Sequence, residues 1–162
     1  MIGNDIVDLD LAQKKSNWRR KGFLNKIFTL QEQSLIHNDS NPELMVWNLW
    51  SRKESVYKIY NRQTGNSGFF PLRIECFFED LNTGTVRIDN FIFYTKTQIE
   101  DDFVYTVAVS EFALFDKIKS LETVENIQKE KGVPFLFESE THEKNPVSIT
   151  HHGLFQRIIT LK

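Results

Sequence analysis

The spacing of apolar residues changes once along the chain, from helical in the first half to strand-like after Pro71. Ile2, Ile6, Val7 and Leu9 surround two acids, and the β-branched residues predict a short strand running into a helix. Lys14 to Lys21 is basic around Trp18, with Gly22 placed to end a helical turn. Thr29 followed three residues later by Glu32 is a capping-box pattern, so a helix is expected from there to about Asn38–Asn41. Asn41-Pro42-Glu43 is a second start signal, for a helix running to about Tyr60. Leu44, Trp47, Trp50, Glu54 and Tyr57 fall along one broad face of it. Strands are expected over 72–78, 85–88, 91–97 and 103–109, with turns at 82–84 and 100–102. Ile118, Leu121, Val124 and Ile127 then predict a helix over 115–131 stopped by Gly132, followed by a loop holding Pro134 and Pro146. Val147 to Leu161 reads as a strand pair turning at His152-Gly153. Helices first and strands second predict an α+β fold, helices packed on an antiparallel or mixed sheet.

Composition narrows the class. The 162 residues are 40% hydrophobic with fourteen Phe, enough for one compact core and too apolar for disorder. A net charge of −2, with neither zinc-finger spacing nor a Gly-rich phosphate loop, argues against nucleic acid as a partner. Cys76 is the single cysteine, which excludes an intramolecular disulfide and a cysteine metal cluster. The first residues lack the order of a secretory signal, and no apolar run approaches the roughly 20 residues of a membrane span. A cytoplasmic protein with no membrane partner is expected.

Two pieces carry candidate chemistry. Gly3-Asn4-Asp5 sets an acid at the end of a short strand, beside a glycine that permits close approach. Trp50-Ser51-Arg52-Lys53-Glu54-Ser55-Val56-Tyr57-Lys58 places Glu54 and Lys58 four residues apart on one helix face. Taken alone, that pair reads as an exposed ion pair contributing about 0.3–0.5 kcal/mol.

The two pieces together, in this order and with Phe28-Thr-x-x-Glu32 between them, resemble the signature of the 4′-phosphopantetheinyl transferase superfamily. The turn at Gly84 and the segment Phe91 to Val109 extend the resemblance over residues 1 to about 112. It implies an enzyme that moves the phosphopantetheine arm of coenzyme A onto a serine of an acidic apo-carrier protein, as in fatty-acid biosynthesis, with Mg²⁺. Asp5 and Glu54 match the metal ligands, and Lys53 and Lys58 match lysines that neutralise the phosphates. The same resemblance implies that Lys58 helps protonate the departing 3′,5′-ADP. Glu54 or a metal-bound water would take the serine proton. Val7 stands where the longer, two-lobed members carry a further acid, which is similar to the shorter holo-(acyl carrier protein) synthase type.

Residues 113–162 exceed a minimal lobe and are expected to form a helix plus a strand pair. Gly132-Val133-Pro134 and Ser148-Ile149-Thr150-His151-His152-Gly153 resemble motifs of the first lobe of the two-lobed type, here placed last. A circularly permuted partial lobe is implied, with Thr150 and His151 matching coenzyme A contacts and Val133 replacing a phosphate-binding lysine. His151-His152 also reads as a solvated turn; with His142 it suggests metal, although neighbouring strand histidines face opposite sides. Lys14, Lys15, Arg19, Arg20 and Lys21 are either a solvated face or, by the resemblance, the dock for the carrier protein. Trp18 is a contact aromatic or core. Single-lobe members share sites between subunits of a trimer and two-lobed members build them within a chain, so trimer, dimer and monomer all stay open. A coenzyme A or carrier-binding module that has lost turnover is the alternative function.

Overall fold

A computed structural model describes residues 1–66, 68–123, 125–130, 132–138 and 142–161. Val124 and Lys131, which belong to the helix expected above, lie outside the described residues. Strand β1 (Ile2–Asp8) leads into helices α1 (Leu9–Lys15), α2 (Phe23–Ile27), α3 (Leu30–Asn38) and α4 (Pro42–Thr64). Strands β2 (Ile74–Phe78), β3 (Thr83–Ile88), β4 (Phe91–Ile99) and β5 (Phe103–Val109) follow. β1 returns beside β5, giving the antiparallel order β1-β5-β4-β3-β2.

The helix starts are chemical. Thr29 accepts from the Glu32 N–H and Glu32 returns a bond to the Thr29 N–H, while Asn41 caps α4 just before Pro42. Gly22 does not stop a helix. It precedes α2 as its N-cap with φ +84°, a conformation that favours glycine. Helix α4 lies across the sheet, so Val46, Leu49, Val56 and Ile59 bury against Ile74, Cys76, Val86, Phe93 and Val104. That contact is the main core and fixes α4 relative to β1. Gly3 makes it possible, because a Cβ there would lie 2.0 Å from the Ser55 carbonyl oxygen. The open side of Gly3 is therefore taken by α4. Trp18 is buried in the same core.

The tail differs from expectation. No helix spans 115–131: a 3-10 turn (Phe112–Lys117) runs into β6 (Ile118–Leu121), and β7 (Ile127–Glu130) follows. The predicted loop around the prolines is two strands, β8 (Val133–Glu138) and β9 (Glu143–His152), and β10 (Phe155–Leu161) completes a second antiparallel sheet in the order β6-β10-β9-β8-β7. Ile118 and Leu121 fit both periods, and pairing with Leu161 and Ile158 of β10 decided for strand. Pro134 and Pro146 stand opposite Lys129 and Phe135, so proline did not exclude strand here. A small cluster of Ile2, Val109 and Ile159 joins the two sheets.

Candidate active site

Asp5 comes from the middle of β1 and Glu54 from α4, and both line one cavity of about 360 Å³. Trp47 and Trp50 lie on the same wall as Glu54, as helical spacing requires, and His151 and His152 of β9 close another side. Burial raises the Asp5 carboxyl to about 6, against the pull of Lys58 and of the Thr150 hydroxyl. Burial raises Glu54 to about 7, and the negative charge of Asp5 adds to that rise. Lys58 pulls both carboxyls down, but less than burial raises them.

Lys58 stands beside them. Its ammonium donates to the Asn4 carbonyl at 2.6 Å, reaches the Ile149 carbonyl at 3.4 Å, and lies 3.5 Å from Asp5 Oδ1. The same lysine lines a second cavity of about 420 Å³ with Tyr57, Arg62, Lys129, Val133 and Ile149. The Arg62 guanidinium there donates to the carbonyls of Val147 at 2.7 Å and Ile2 at 3.4 Å. Lys58 thus separates a carboxylate cavity from a cationic one.

Lys53 corrects the expectation for it. One residue along a helix is a rotation of about 100°, which turns Lys53 away from the face of Glu54. Its ammonium is fully buried, 2.7 Å from Glu32 Oε2, donating also to the carbonyls of Pro71 and Ile74. With three acceptors taken it holds α4 to α3 and to the entry of β2, and it lines neither cavity.

Thr150 is placed differently from a ligand contact too: its buried hydroxyl donates to Asp5 Oδ1 at 3.3 Å and accepts from the Ile6 N–H at 3.2 Å. His151 is exposed at the cavity rim, whereas His152 Nδ1 accepts from the Asp8 N–H at 2.9 Å. Asp8 caps α1 and accepts from the Leu154 N–H, which holds its carboxyl below the usual range. Gly153 at φ +55° leaves room for that carboxylate, since a Cβ would lie 2.0 Å from its oxygen. Lys14, Lys15, Arg19, Arg20 and Lys21 are all exposed, on the last turn of α1 and the turns after it. Arg19 lies over the Trp18 ring at 4.1 Å and 3.9 Å from Glu43. Among the described residues no group of three or more His, Cys, Asp or Glu gathers to hold a metal ion, and no helix is long and apolar enough to cross a membrane.

Sequence reasoning missed Arg62 and Lys129. Arg62 was findable: it lies four residues beyond Lys58, one turn further along the same face.

A family model described as the 4′-phosphopantetheinyl transferase superfamily (ACPS) matches residues 1–108, ending inside β5. No curated protein matches the chain. Among solved structures the chain is similar to the holo-[acyl-carrier-protein] synthase of Helicobacter pylori in complex with coenzyme A, at 17% identity and TM-score 0.54, over 68% of this chain and 100% of that one. The synthase of Neisseria meningitidis matches at 21% identity and TM-score 0.54, over 68% and 96%. That of Bacillus anthracis str. Ames, in complex with CoA (3′,5′-ADP), matches at 19% and 0.51, over 66% and 91%. At these identities the likeness is one of fold, and it accounts for about two thirds of the chain.

Proposed function

Because the chain belongs to the 4′-phosphopantetheinyl transferase superfamily, we propose that it transfers the phosphopantetheine arm of coenzyme A to a serine of an apo-carrier protein, with Mg²⁺. The carrying observation is the shared cavity of the buried Asp5 and the half-buried Glu54, whose carboxyls are raised to about 6 and 7 by desolvation, the charge of Asp5 adding to the rise of Glu54. Two carboxylates at one cavity are hard oxygen donors and fit a magnesium ion, which takes few carboxylates and completes its shell with phosphate and water. Asp5 and Glu54 would hold it, and when bound it supplies positive charge to phosphoryl oxygens.

The chain's own groups do the rest. The cationic cavity of Lys58, Arg62 and Lys129 receives the diphosphate end of coenzyme A, with charge supplied by α4 and β7 where Val133 supplies none. Lys58, at the boundary between cavities, sits where the bond between the two phosphates breaks. The serine oxygen bonds to the phosphorus bearing the pantetheine arm, and Glu54 takes the serine proton. 3′,5′-ADP departs with the bridging oxygen, stabilised by the Lys58 ammonium. In this reading His151, exposed at the rim, contacts a phosphate of coenzyme A. The exposed basic stretch after α1 steers the acidic carrier protein.

In this reading residues 1–112 are the catalytic lobe and 113–162 a partial second lobe that completes the site in cis. Release of 3′,5′-ADP from coenzyme A in the presence of an apo-carrier and Mg²⁺ tests the activity. The account expects release by the wild type and none by Asp5→Asn or Glu54→Gln. A binding module without turnover would bind coenzyme A yet release nothing.

A further inference from the structure

Strand β9 runs along the open edge of β1, and its side chains stand in for a neighbouring strand. The outward N–H groups of Asn4, Ile6 and Asp8 donate in turn to Ser148 Oγ at 3.0 Å, Thr150 Oγ1 at 3.2 Å and His152 Nδ1 at 2.9 Å. Alternate residues of one strand thus meet alternate N–H groups of the other, as the two-residue period of both strands permits. Each hydroxyl, once it has accepted an N–H, has a single proton left to place. Ser148 gives its proton to Asn4 Oδ1 at 2.7 Å, and Thr150 gives its proton to Asp5 Oδ1 at 3.3 Å. The first rung closes on a neutral amide. The second closes on a carboxylate of the site.

We propose that Thr150 is a positioning residue: through this rung the tail sets the orientation of the Asp5 carboxylate toward the cation, without touching coenzyme A. The proposal rests on the reading of Asp5 as a metal ligand. Thr150 and Asp5 are both buried, Ile6 fixes where the hydroxyl proton points, and the only other side chain hydrogen-bonded to Asp5 among those described, Lys58, is farther at 3.5 Å. A hydroxyl that donates to a ligating carboxylate orients it before the ion arrives.

The test compares two rungs. Mn²⁺, as a paramagnetic probe, is titrated by electron paramagnetic resonance into wild type, Thr150→Val, Thr150→Ser and Ser148→Ala, with no coenzyme A present. Thr150→Val keeps the shape and removes the hydroxyl; its Mn²⁺ affinity and kcat should each fall about tenfold while KM for coenzyme A changes less than about twofold. Thr150→Ser restores both. Ser148→Ala cuts the neighbouring rung and lowers the melting temperature comparably, but Mn²⁺ affinity stays within about twofold of wild type because Asp5 is untouched. Should Thr150→Val not fold, Thr150→Ala carries the same expectation. Unchanged Mn²⁺ affinity in the valine or alanine variant overturns the proposal, as does a rise in KM for coenzyme A at constant kcat. An equal loss of Mn²⁺ affinity in Ser148→Ala would reduce the ladder to a fastening. Asp5→Asn is measured alongside: if it binds Mn²⁺ as wild type does, the metal-ligand reading itself has failed.

Discussion

Glu54→Gln should make the metal-free protein more stable at pH 8 while abolishing transfer. The fold raises Glu54 from its ordinary 4.5 to about 7. A carboxyl raised in this way holds its proton more tightly folded than unfolded. Its contribution to stability is fully present below 4.5 and is lost as pH rises through 7. Above that range the half-buried charge opposes folding by up to about 3 kcal/mol, since each pH unit between the two values corresponds to about 1.4 kcal/mol. Glutamine has the same shape without the charge, so the variant recovers up to that amount. For a chain of this size, with about 2–4 °C per kcal/mol, the gain in melting temperature is about 6–12 °C. At pH 5 the gain shrinks below about 1 kcal/mol, because the folded carboxyl is then protonated. Calorimetric melting in a chelator at both pH values measures the difference. A variant no more stable than wild type at pH 8, or equally stabilised at both, would refute the strained-carboxylate account.

Further outcomes follow from the same geometry. Mg²⁺ competes with protons for Asp5 and Glu54, so it should raise the melting temperature at pH 8 and much less at pH 5. The two lysines of the signature should part company. Lys53→Met strands the Glu32 carboxylate in the core and should cost about 3–5 kcal/mol of stability. Lys58→Met should leave folding largely intact and lose transfer. Replacing Lys14, Lys15 and Lys21 by serine should weaken carrier capture at low salt and erase most of its salt dependence, both read from KM for the carrier.

Local rules read well where one period or one cap decides an element. Thr29 with Glu32 and Asn41 with Pro42 gave both helix starts, and Trp47, Trp50 and Glu54 face one cavity as their spacing predicts. Ile118, Leu121 and Ile127 suit a helix or a strand, and only the pairing of β6 with β10 and of β7 with β8 chose between them. The lysines show the limit of motif reading. Residues 53 and 58 are both basic and both in the signature, yet their directions on α4 commit one to the core and one to the cavity edge. The acidic pair drew notice from its sequence context, whereas Thr150 became legible as a partner of Asp5 only once β9 lay beside β1. Its sign in the sequence was the alternation Ser148-x-Thr150-x-His152, three polar side chains on one face of a strand.

The decisive measurement is intact mass spectrometry of an apo-carrier protein after incubation with this chain, coenzyme A and Mg²⁺. The account predicts that one serine of the carrier gains a phosphopantetheine group, and that none is gained with a chelator or with Asp5→Asn. Carrier proteins left unmodified while coenzyme A binds would contradict it, and so would modification that persists in the asparagine variant.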